Sequence, residues 1–340
     1  MIITNENFFE ILKHLLPNDS HKSVVGLSGG ADSLCLTLLM NEYSKFSKNE
    51  IFACIVDHKL RPESSTEIIP IIDILKSRGI NYKVLVWEHE KIIGSFENKA
   101  RIARYNLLYN YCKELGSEFL MTAHHALDQW ETFFMRLSKS SSLKGLSAIK
   151  PISNFRDIKL IRPMLNFSPE DIKQTLIERF GITNYVKDPS NESLEFERVR
   201  WRKSYEVLSK TYKLGLENIG KSIERLRVAD DCLNELAQDF EKDIFDGYYI
   251  NIKKFKNIHL ELQIRVLNLI IDRVLNKNRI VSYSLLMRVC FQICQKDFVA
   301  INLAGLILRR DYTKNVKIYR EERFLNLKGI IPLDKTKLTQ

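Results

Sequence analysis

Residues 23–46 read SVVGLSGGADSLCLTLLMNEYSKF, in which a short β-branched run leads through two adjacent glycines into a long apolar stretch. The run VVGL is typical of a buried strand, and LCLTLLMNEYSKF has the length and apolar content of a packed helix. A strand, a turn and a helix in this order are the unit from which parallel sheets are built. The stretch therefore predicts an α/β fold.

Four further strand-like runs follow at intervals that leave room for helices: IFACIVD, YKVLVWE, EFLMTAHH and KLIRPM. This alternation predicts a doubly wound parallel sheet with helices on both faces. In such a sheet a ligand binds outside the carboxyl ends of the strands, where the connections reverse. We therefore expect the functional side chains directly after each run.

From about Thr211 onward, the sequence pattern changes. Two long amphipathic stretches follow, GLENIGKSIERLRVADDCLNELAQDFEKDIF and HLELQIRVLNLIIDRVL. In the tail, AINLAGLILRRDYTKNVKIYREERFLNL, apolar and polar residues alternate with a period near two. Two domains are predicted: an α/β domain over residues 1–212, and over residues 213–340 a mostly helical C-terminal domain with a small β element. The apolar stripe of the helix after Leu214 fits an interdomain strut or a homodimer surface.

Composition limits the kind of protein. Lys and Arg outnumber Asp and Glu by 52 to 42, a net charge of +10, which favours a polyanionic partner but is also compatible with a plain solubility surplus. The six cysteines are scattered, which argues for reduced thiols. We see neither an apolar run long enough to span a bilayer nor a signal peptide, so we expect a cytoplasmic protein without membrane contact.

The strongest local signal is the glycine loop, which consists of Ser28, Gly29, Gly30, Ala31, Asp32 and Ser33. Its glycines permit a tight turn, and the backbone amides of the turn and of the following helix form a cradle for phosphate. Bare phosphate would repel Asp32, so this carboxylate either holds Mg²⁺ or caps the helix. The loop lacks the Lys of a Walker motif and the spacing of a dinucleotide-binding motif.

The glycine loop resembles the SGGxDS PP-loop of ATP pyrophosphatases. The resemblance implies that the loop binds ATP, that the enzyme breaks the α,β bond of ATP and adenylates an oxygen of its substrate, and that a nucleophile then displaces AMP. On this reading Asp32 is the Mg²⁺ ligand.

Further segments narrow the resemblance to tRNA(Ile)-lysidine synthetases. VDHKLRPES at 56–64 resembles the family's VDHxLR-x-ES, and Asp57 closes its strand where an amine or a ribose would bind. NKARIARY at 98–105 is similar to the ARxxRY helix; Arg101 and Arg104 share a face that suits a phosphate or RNA clamp, or simply a solvated basic face.

The segment AHHALDQWET at 123–132 resembles the family's AHHxxDQxET signature, and its acids Asp128 and Glu131 would open a helix at its positive end. Leu127 stands where the family carries another acid, and the usual Gly-rich stretch is altered at 136–146, where Gly145 and Leu146 still fit. In isolation, His124 and His125 are interpreted as satisfied core or strand-end histidines.

Three last segments, RPML at 162–165, DPSN at 188–191 and RVRWR at 198–202, resemble the RPLL, D-x-SN and RNxxR segments, with Val199 in place of the expected Asn. Alternating arginines beside a Trp suit RNA contacts or a charged interdomain linker. The tRNA-contact candidates are Arg101, Arg136, Arg198, Arg200 and Arg202.

The family resemblance implies an AMP-forming ligase. ATP adenylates the C2 oxygen of the wobble cytidine in a tRNA(Ile) with a CAU anticodon, and the side-chain amine of L-lysine displaces AMP to give lysidine. The C-terminal domain would recognise the tRNA. The catalytic candidates are Asp32, Asp57, Asp128, Glu131 and Arg104, with the carboxylate that binds lysine left open. Two alternatives remain: another PP-loop tRNA-modifying enzyme such as a thiolase, and a degenerate tRNA-binding protein.

Overall fold

The computed structural model describes residues 1–17, 21–59, 64–88, 96–186, 193–276 and 281–321. The chain divides into two compact units, Met1–Leu226 and Arg227–Gln340. The domain boundary expected after residue 212 stays a prediction. Two of the motif segments, residues 60–63 of VDHKLRPES and the whole of DPSN at 188–191, lie outside the described residues.

A six-stranded sheet with strand order β3-β2-β1-β4-β6-β5 forms the centre of the first unit. Its strands are β1 (Lys22–Leu27), β2 (Glu50–Asp57), β3 (Asn81–Val86), β4 (Phe119–Met121), β5 (Ile152–Phe155) and β6 (Ile158–Ile161). All five predicted strands are present and pair in parallel, which confirms the α/β prediction. The added strand β5 pairs antiparallel with β6 and is the outermost strand on that side of the sheet. It was missed because its side chains are exposed or half-buried, so ISNF forms no apolar run.

Helices cover both faces of this sheet because alternate strand residues point to opposite sides. The helices of the unit are α1 (Asn5–Leu15), α2 (Ala31–Phe46), α3 (Ser64–Glu67), α4 (Ile69–Ser77), α5 (Phe96–Leu115), α6 (Ala126–Leu137), α7 (Leu143–Leu146), α8 (Pro169–Glu178) and α9 (Glu197–Tyr212). In β1, Val25 packs into the core formed with α1, α2, α4 and α8. Its neighbour Val24 packs into the opposite core, formed with α5.

The connections reverse direction between β1 and β4, which are neighbours in the sheet although β2 and β3 separate them in the chain. Helix α2 follows β1 and helix α6 follows β4. Because the two strands are parallel, both helices begin at the same edge of the sheet. This is the place where doubly wound folds bind ligands.

The second unit combines helices with a small antiparallel sheet, as the sequence predicts. Its elements are α10 (Leu216–Ile244), which includes the unit boundary, β7 (Tyr249–Ile250), α11 (Ile252–Lys256), α12 (Leu260–Leu275), α13 (Tyr283–Cys294), β8 (Ala300–Leu303), β9 (Leu306–Arg310) and β10 (Val316–Arg320). The four strands form a sheet with the order β7-β10-β9-β8. In the described part of the chain, none of the helices has the length and apolar character needed to cross a membrane.

Candidate active site

The glycine loop connects β1 to α2 in a conformation that requires glycine. Gly29 has a φ of +84°, in the left-handed region that side-chain-bearing residues rarely adopt. A Cβ at this position would lie 2.9 Å from Cγ2 of Val186, whose backbone N–H donates to the Gly29 carbonyl at 3.0 Å. The loop is therefore tightened by a segment that lies 157 residues further along the chain, from 29 to 186.

Two serines fix the shape of the loop from inside. The Oγ of the buried Ser33 accepts from the Ser28 backbone N–H at 3.0 Å and lies 3.0 Å from the Ser28 Oγ. It also donates to the Gly30 carbonyl at 3.1 Å. Gly30 is the N-cap of α2 and has no side chain to cap the helix, so the amides of the first turn are left for an anionic ligand. This geometry fits the predicted phosphate cradle.

A histidine connects the glycine loop to the start of α6. The Nε2 of His125 lies 3.6 Å from Oδ2 of Asp32, and its Nδ1 lies 3.5 Å from Oδ2 of Asp128. The backbone N–H of His125 donates to the same Asp128 carboxylate at 2.9 Å, which closes a capping box at the start of α6. Two of the predicted acids are thus joined through one imidazole.

The second acid of α6 is completely buried and bound by two arginines of α9. Glu131 accepts from Nε of Arg198 at 2.9 Å and from Nε of Arg202 at 2.7 Å. Arg198 also donates to Oδ1 of Asp128 at 3.0 Å. A buried carboxylate needs such partners. The α9 arginines therefore hold Asp128 and Glu131, which we call the acidic cluster, in place.

The two adjacent histidines have opposite preferences for a proton. Burial lowers the pKa of His124 to about 4, with the Asp128 carboxylate acting against it. Burial also disfavours charge on His125, but the carboxylates of Asp128 and Asp32 outweigh it, so the pKa of His125 is raised. For Asp128 itself, burial raises the pKa, while the histidines and Arg198 lower it further than burial raises it. The carboxylates thus make a proton on His125 more favourable than on an isolated imidazole, while Asp128 favours its ionised form.

Comparison with known proteins agrees with this geometry. The PP-loop domain family matches residues 4–208. The tRNA(Ile)-lysidine synthase of Wolbachia pipientis wMel is 32% identical over 333 residues, which cover 93% of this chain and 74% of that protein. This chain belongs to the tRNA(Ile)-lysidine synthase family. The family member from Rickettsia prowazekii (strain Madrid E) is 27% identical, with 93% of this chain and 73% of that protein covered.

A solved structure shares the fold. It is the U34-tRNA thiolase NcsA from Methanococcus maripaludis with its [4Fe-4S] cluster, which matches with a TM-score of 0.55 and 22% identity over 65% of this chain and 77% of that chain. The likeness covers the fold alone. Membership in the lysidine synthase family rests on the sequence relatives, which span both units.

Three other predicted residues of this lysidine synthase family member lie near the carboxyl edge of the sheet. Asp57 ends β2, is buried, and accepts from the Lys59 backbone N–H at 2.9 Å. On α5, the guanidinium carbons of Arg101 and Arg104 lie 5.1 and 5.4 Å from the ring centre of Tyr105. Both arginines thus stack on one ring, as their three-residue spacing suggests.

Two of the arginines predicted to contact tRNA donate hydrogen bonds to backbone carbonyls of this chain. Arg136 donates to the carbonyls of Gly145 and Ala148 at 2.7 and 3.1 Å, and so fixes the altered Gly-rich stretch around α7. Arg200 donates to the carbonyls of Leu194 and Glu195 at 2.8 Å each. Contact of Arg101, Arg136, Arg198, Arg200 or Arg202 with tRNA stays a prediction.

Two of the three departures from the family pattern, Leu127 and Val199, are packing positions. Leu127 lies against the apolar cluster formed by α6 and the start of α10, and Val199 is buried on α9. The polar contacts of the site are made by their neighbours Asp128 and Arg198. Apolar side chains at these two positions therefore leave the acidic cluster intact.

Sequence reasoning missed two roles. His125 joins Asp32 to Asp128, although its sequence context indicates only a satisfied histidine. Gln129 is buried and exchanges two hydrogen bonds with the backbone of Ile149, at 2.9 and 2.8 Å. The signal for Gln129 was present in the AHHxxDQxET signature, whereas the Asp32–His125 contact spans 93 residues, from 32 to 125, and has no local signal.

Proposed function

We propose that this enzyme joins L-lysine to C2 of the wobble cytidine of a tRNA(Ile) with a CAU anticodon, using ATP and releasing AMP and pyrophosphate. The observation that carries the proposal is the continuous polar chain from the glycine loop through Asp32, His125 and Asp128 to Glu131. This polar chain supports the proposal because a loop that suits phosphate lies next to carboxylates that suit an ammonium group. Family membership implies substrates that suit both parts of the site: ATP for the glycine loop and lysine for the carboxylates.

The glycine loop binds the phosphates of ATP in this proposal. The free first-turn amides of α2 face the anion, and the loop is already held in shape by Ser33 before ATP arrives. A preorganised cradle of this kind stabilises the charge that develops on the departing pyrophosphate.

Mg²⁺ fits Asp32. The Asp32 side chain is 40% exposed, so its carboxylate is accessible from the loop. Among the described residues no group of three or more His, Cys, Asp or Glu side chains forms a metal site, which suits an ion that takes one or two carboxylates and completes its shell with phosphate oxygens and water. Bound Mg²⁺ would neutralise phosphate charge beside Asp32.

Asp128 is the carboxylate best placed to receive the lysine ammonium. Glu131 is fully buried and uses both oxygens on arginines. The Asp128 carboxylate also accepts from Arg198 and from the His125 backbone N–H, but its side chain is 14% exposed, and an ionised carboxylate has about four lone-pair sites, so it can accept from an ammonium as well. Asp57 is buried and is the other candidate. Arg104 and Arg101 carry positive charge for the RNA backbone or the adenylate.

The three cysteines of the first unit do not suit a thiolase. Burial raises the pKa of Cys35, Cys54 and Cys112 to about 12 each, so these thiols stay protonated. A sulfur carrier needs an accessible thiolate. Of the six cysteines Cys232 is the exposed one, and it lies on α10. The degenerate-binder alternative is disfavoured because Leu127 and Val199 leave the acidic cluster intact.

The second unit and a homodimer complete the proposal. We assign tRNA recognition to the second unit, whose lysines and arginines meet phosphates. Helix α10 exposes Val228 and Leu236, 66% and 43% exposed, which are the apolar side chains a homodimer would cover. Sedimentation velocity at two protein concentrations distinguishes a dimer from a monomer.

The first test is AMP and pyrophosphate release from ATP, with and without lysine and a CAU-anticodon tRNA transcript. We expect release only with both substrates, and a loss of at least about 100-fold in kcat in Asp32→Ala. Asp128→Asn should chiefly raise the KM for lysine. Glu217→Gln, which changes an exposed carboxylate on α10, is the control and should behave like the wild type. AMP release that ignores lysine and requires a sulfur donor would favour the thiolase alternative instead.

A further inference from the structure

A cavity of about 500 Å³ lies between α5 and the β5–β6 hairpin, outside the acidic cluster. Its lining includes Arg101, Tyr105, Asn106, Phe155, Arg156 and Arg162. Three of the lining residues are arginines and none is acidic. The size is that of a small-ligand pocket, and the charge selects an anion.

The walls of this cavity present aromatic rings next to guanidinium groups. The rings of Tyr105 and Phe155 have centres 5.5 Å apart at an angle of 46°. The guanidinium carbon of Arg101 lies 5.1 Å from the Tyr105 centre, and that of Arg156 lies 5.5 Å from the Phe155 centre. Rings and planar cations together are the surfaces on which unpaired bases stack.

Two buried polar groups at the cavity have no hydrogen-bond partner among the described residues. They are the hydroxyl of Tyr105, a residue only 7% exposed, and Nε of Arg162, whose Nη1 donates to Lys150 O and Ser153 Oγ. Buried donors without partners are rare in folded proteins because they lose their hydration. Both residues belong to the cavity lining, so a bound ligand that shifts either side chain would offer an acceptor to its unpaired donor.

The cavity adjoins the active-site edge. Arg162 directly follows β6, whose carboxyl end lies beside that of β4. The charges of Arg162 and Arg101 also help to lower the pKa of His124, so both guanidinium groups are within electrostatic reach of this histidine, which directly precedes His125.

We propose that this cavity binds one unpaired nucleotide of the substrate RNA, a neighbour of the nucleotide that reacts, with its base on the half-buried ring of Phe155 and its phosphate on the arginines. The proposal rests on the proposed function for the identity of the RNA. Arg101 and Arg156 are exposed, so the rim offers cations to a backbone that continues on either side of the bound nucleotide. A free nucleotide has no such continuation.

The test uses the full chain and a fluorescein-labelled RNA stem-loop with CAU in its unpaired loop. Phe155→Leu removes the half-buried ring but keeps an apolar side chain, and Arg156→Gln removes an exposed cation. We expect each variant to raise the Kd for the stem-loop about 10-fold and to leave the Kd for a fully paired RNA duplex unchanged. Lys159→Gln is the matched control, because Lys159 is exposed on the same hairpin but is not part of the cavity lining.

Each outcome decides the proposal. An unchanged stem-loop Kd in both variants would overturn it, and so would an equal loss for the stem-loop and for AMP, which would assign the cavity to a free nucleotide. Arg156→Gln keeps the test valid if Phe155→Leu fails to fold. Failure of the proposed function is seen separately, as wild-type protein that forms no AMP in response to lysine and tRNA.

Discussion

Gly29 combines two constraints at the residue scale. Its φ of +84° disfavours any side chain, and the 2.9 Å approach of Val186 leaves no room for a Cβ. Gly79, which follows α4, has only the first constraint: its φ is +65°, and a Cβ there would meet nothing within 4 Å. Alanine substitutions at the two glycines therefore separate the cost of the left-handed backbone, present at both, from the cost of the contact with Val186, present only at Gly29.

We predict that Gly29→Ala lowers the free energy of unfolding by about 2–3 kcal/mol and Gly79→Ala by about 1 kcal/mol, since a left-handed conformation alone costs about 1–2 kcal/mol. All three tryptophans, Trp87, Trp130 and Trp201, lie in the first unit, so urea denaturation followed by tryptophan fluorescence reports on its unfolding. Equal losses in the two variants would mean that Val186 moves away at no cost. In that case the side chain of Val186 does not constrain the glycine loop.

At the scale of elements, α6 and α9 are joined by two kinds of ion pair. Glu131 is fully buried between Arg198 and Arg202. Glu197, the first residue of α9, pairs at 2.7 Å with Lys139 near the end of α6, and that lysine side chain is 60% exposed. A buried carboxylate whose charge is removed leaves its partners uncompensated, whereas an exposed pair exchanges its contact for water.

We expect Glu131→Gln to destabilise the first unit by about 3 kcal/mol and Glu197→Gln by less than about 1 kcal/mol. Thermal unfolding monitored by tryptophan fluorescence measures both, and the ratio of the two effects is the decisive quantity. Similar small losses would show that Arg198 and Arg202 reach water once Glu131 is neutral. Their role would then be to contact a ligand rather than to hold α9.

The same elements show how far the sequence predicts this site. The β1 strand, the glycine loop and the start of α2 are contiguous, and local rules for turns and periodicity therefore predict them together. Glu131 and its arginine partners are 67 and 71 residues apart, and no local pattern encodes such a pairing. Arg198 and Arg202 in RVRWR consequently suggest RNA contacts, while the packing of α9 on α6 gives both of them a carboxylate partner. The exposed 42% of the Arg198 side chain leaves the predicted RNA contact testable.

For the whole molecule, the net charge of +10 favours electrostatic attraction to a polyanion such as tRNA. A specific tRNA-binding surface differs from general attraction because particular cations then release counterions from particular phosphates. Helix α11 of the second unit exposes Lys253 and Lys256 on its surface. In the first unit, Lys22 begins β1 and Lys45 lies near the end of α2, so both lie at the sheet edge opposite the active site.

We predict that the double variant Lys253→Gln/Lys256→Gln reduces the slope of log Kd for tRNA against log salt by about 2, one for each phosphate that a lysine no longer neutralises. The double variant Lys22→Gln/Lys45→Gln removes the same charge and should leave the slope unchanged, since those lysines face away from the site. Fluorescence anisotropy from about 50 to 200 mM salt measures both slopes. An equal change in the two variants would contradict a dedicated surface on the second unit, because binding would then follow total charge, and recognition of the tRNA would have to come from the first unit alone.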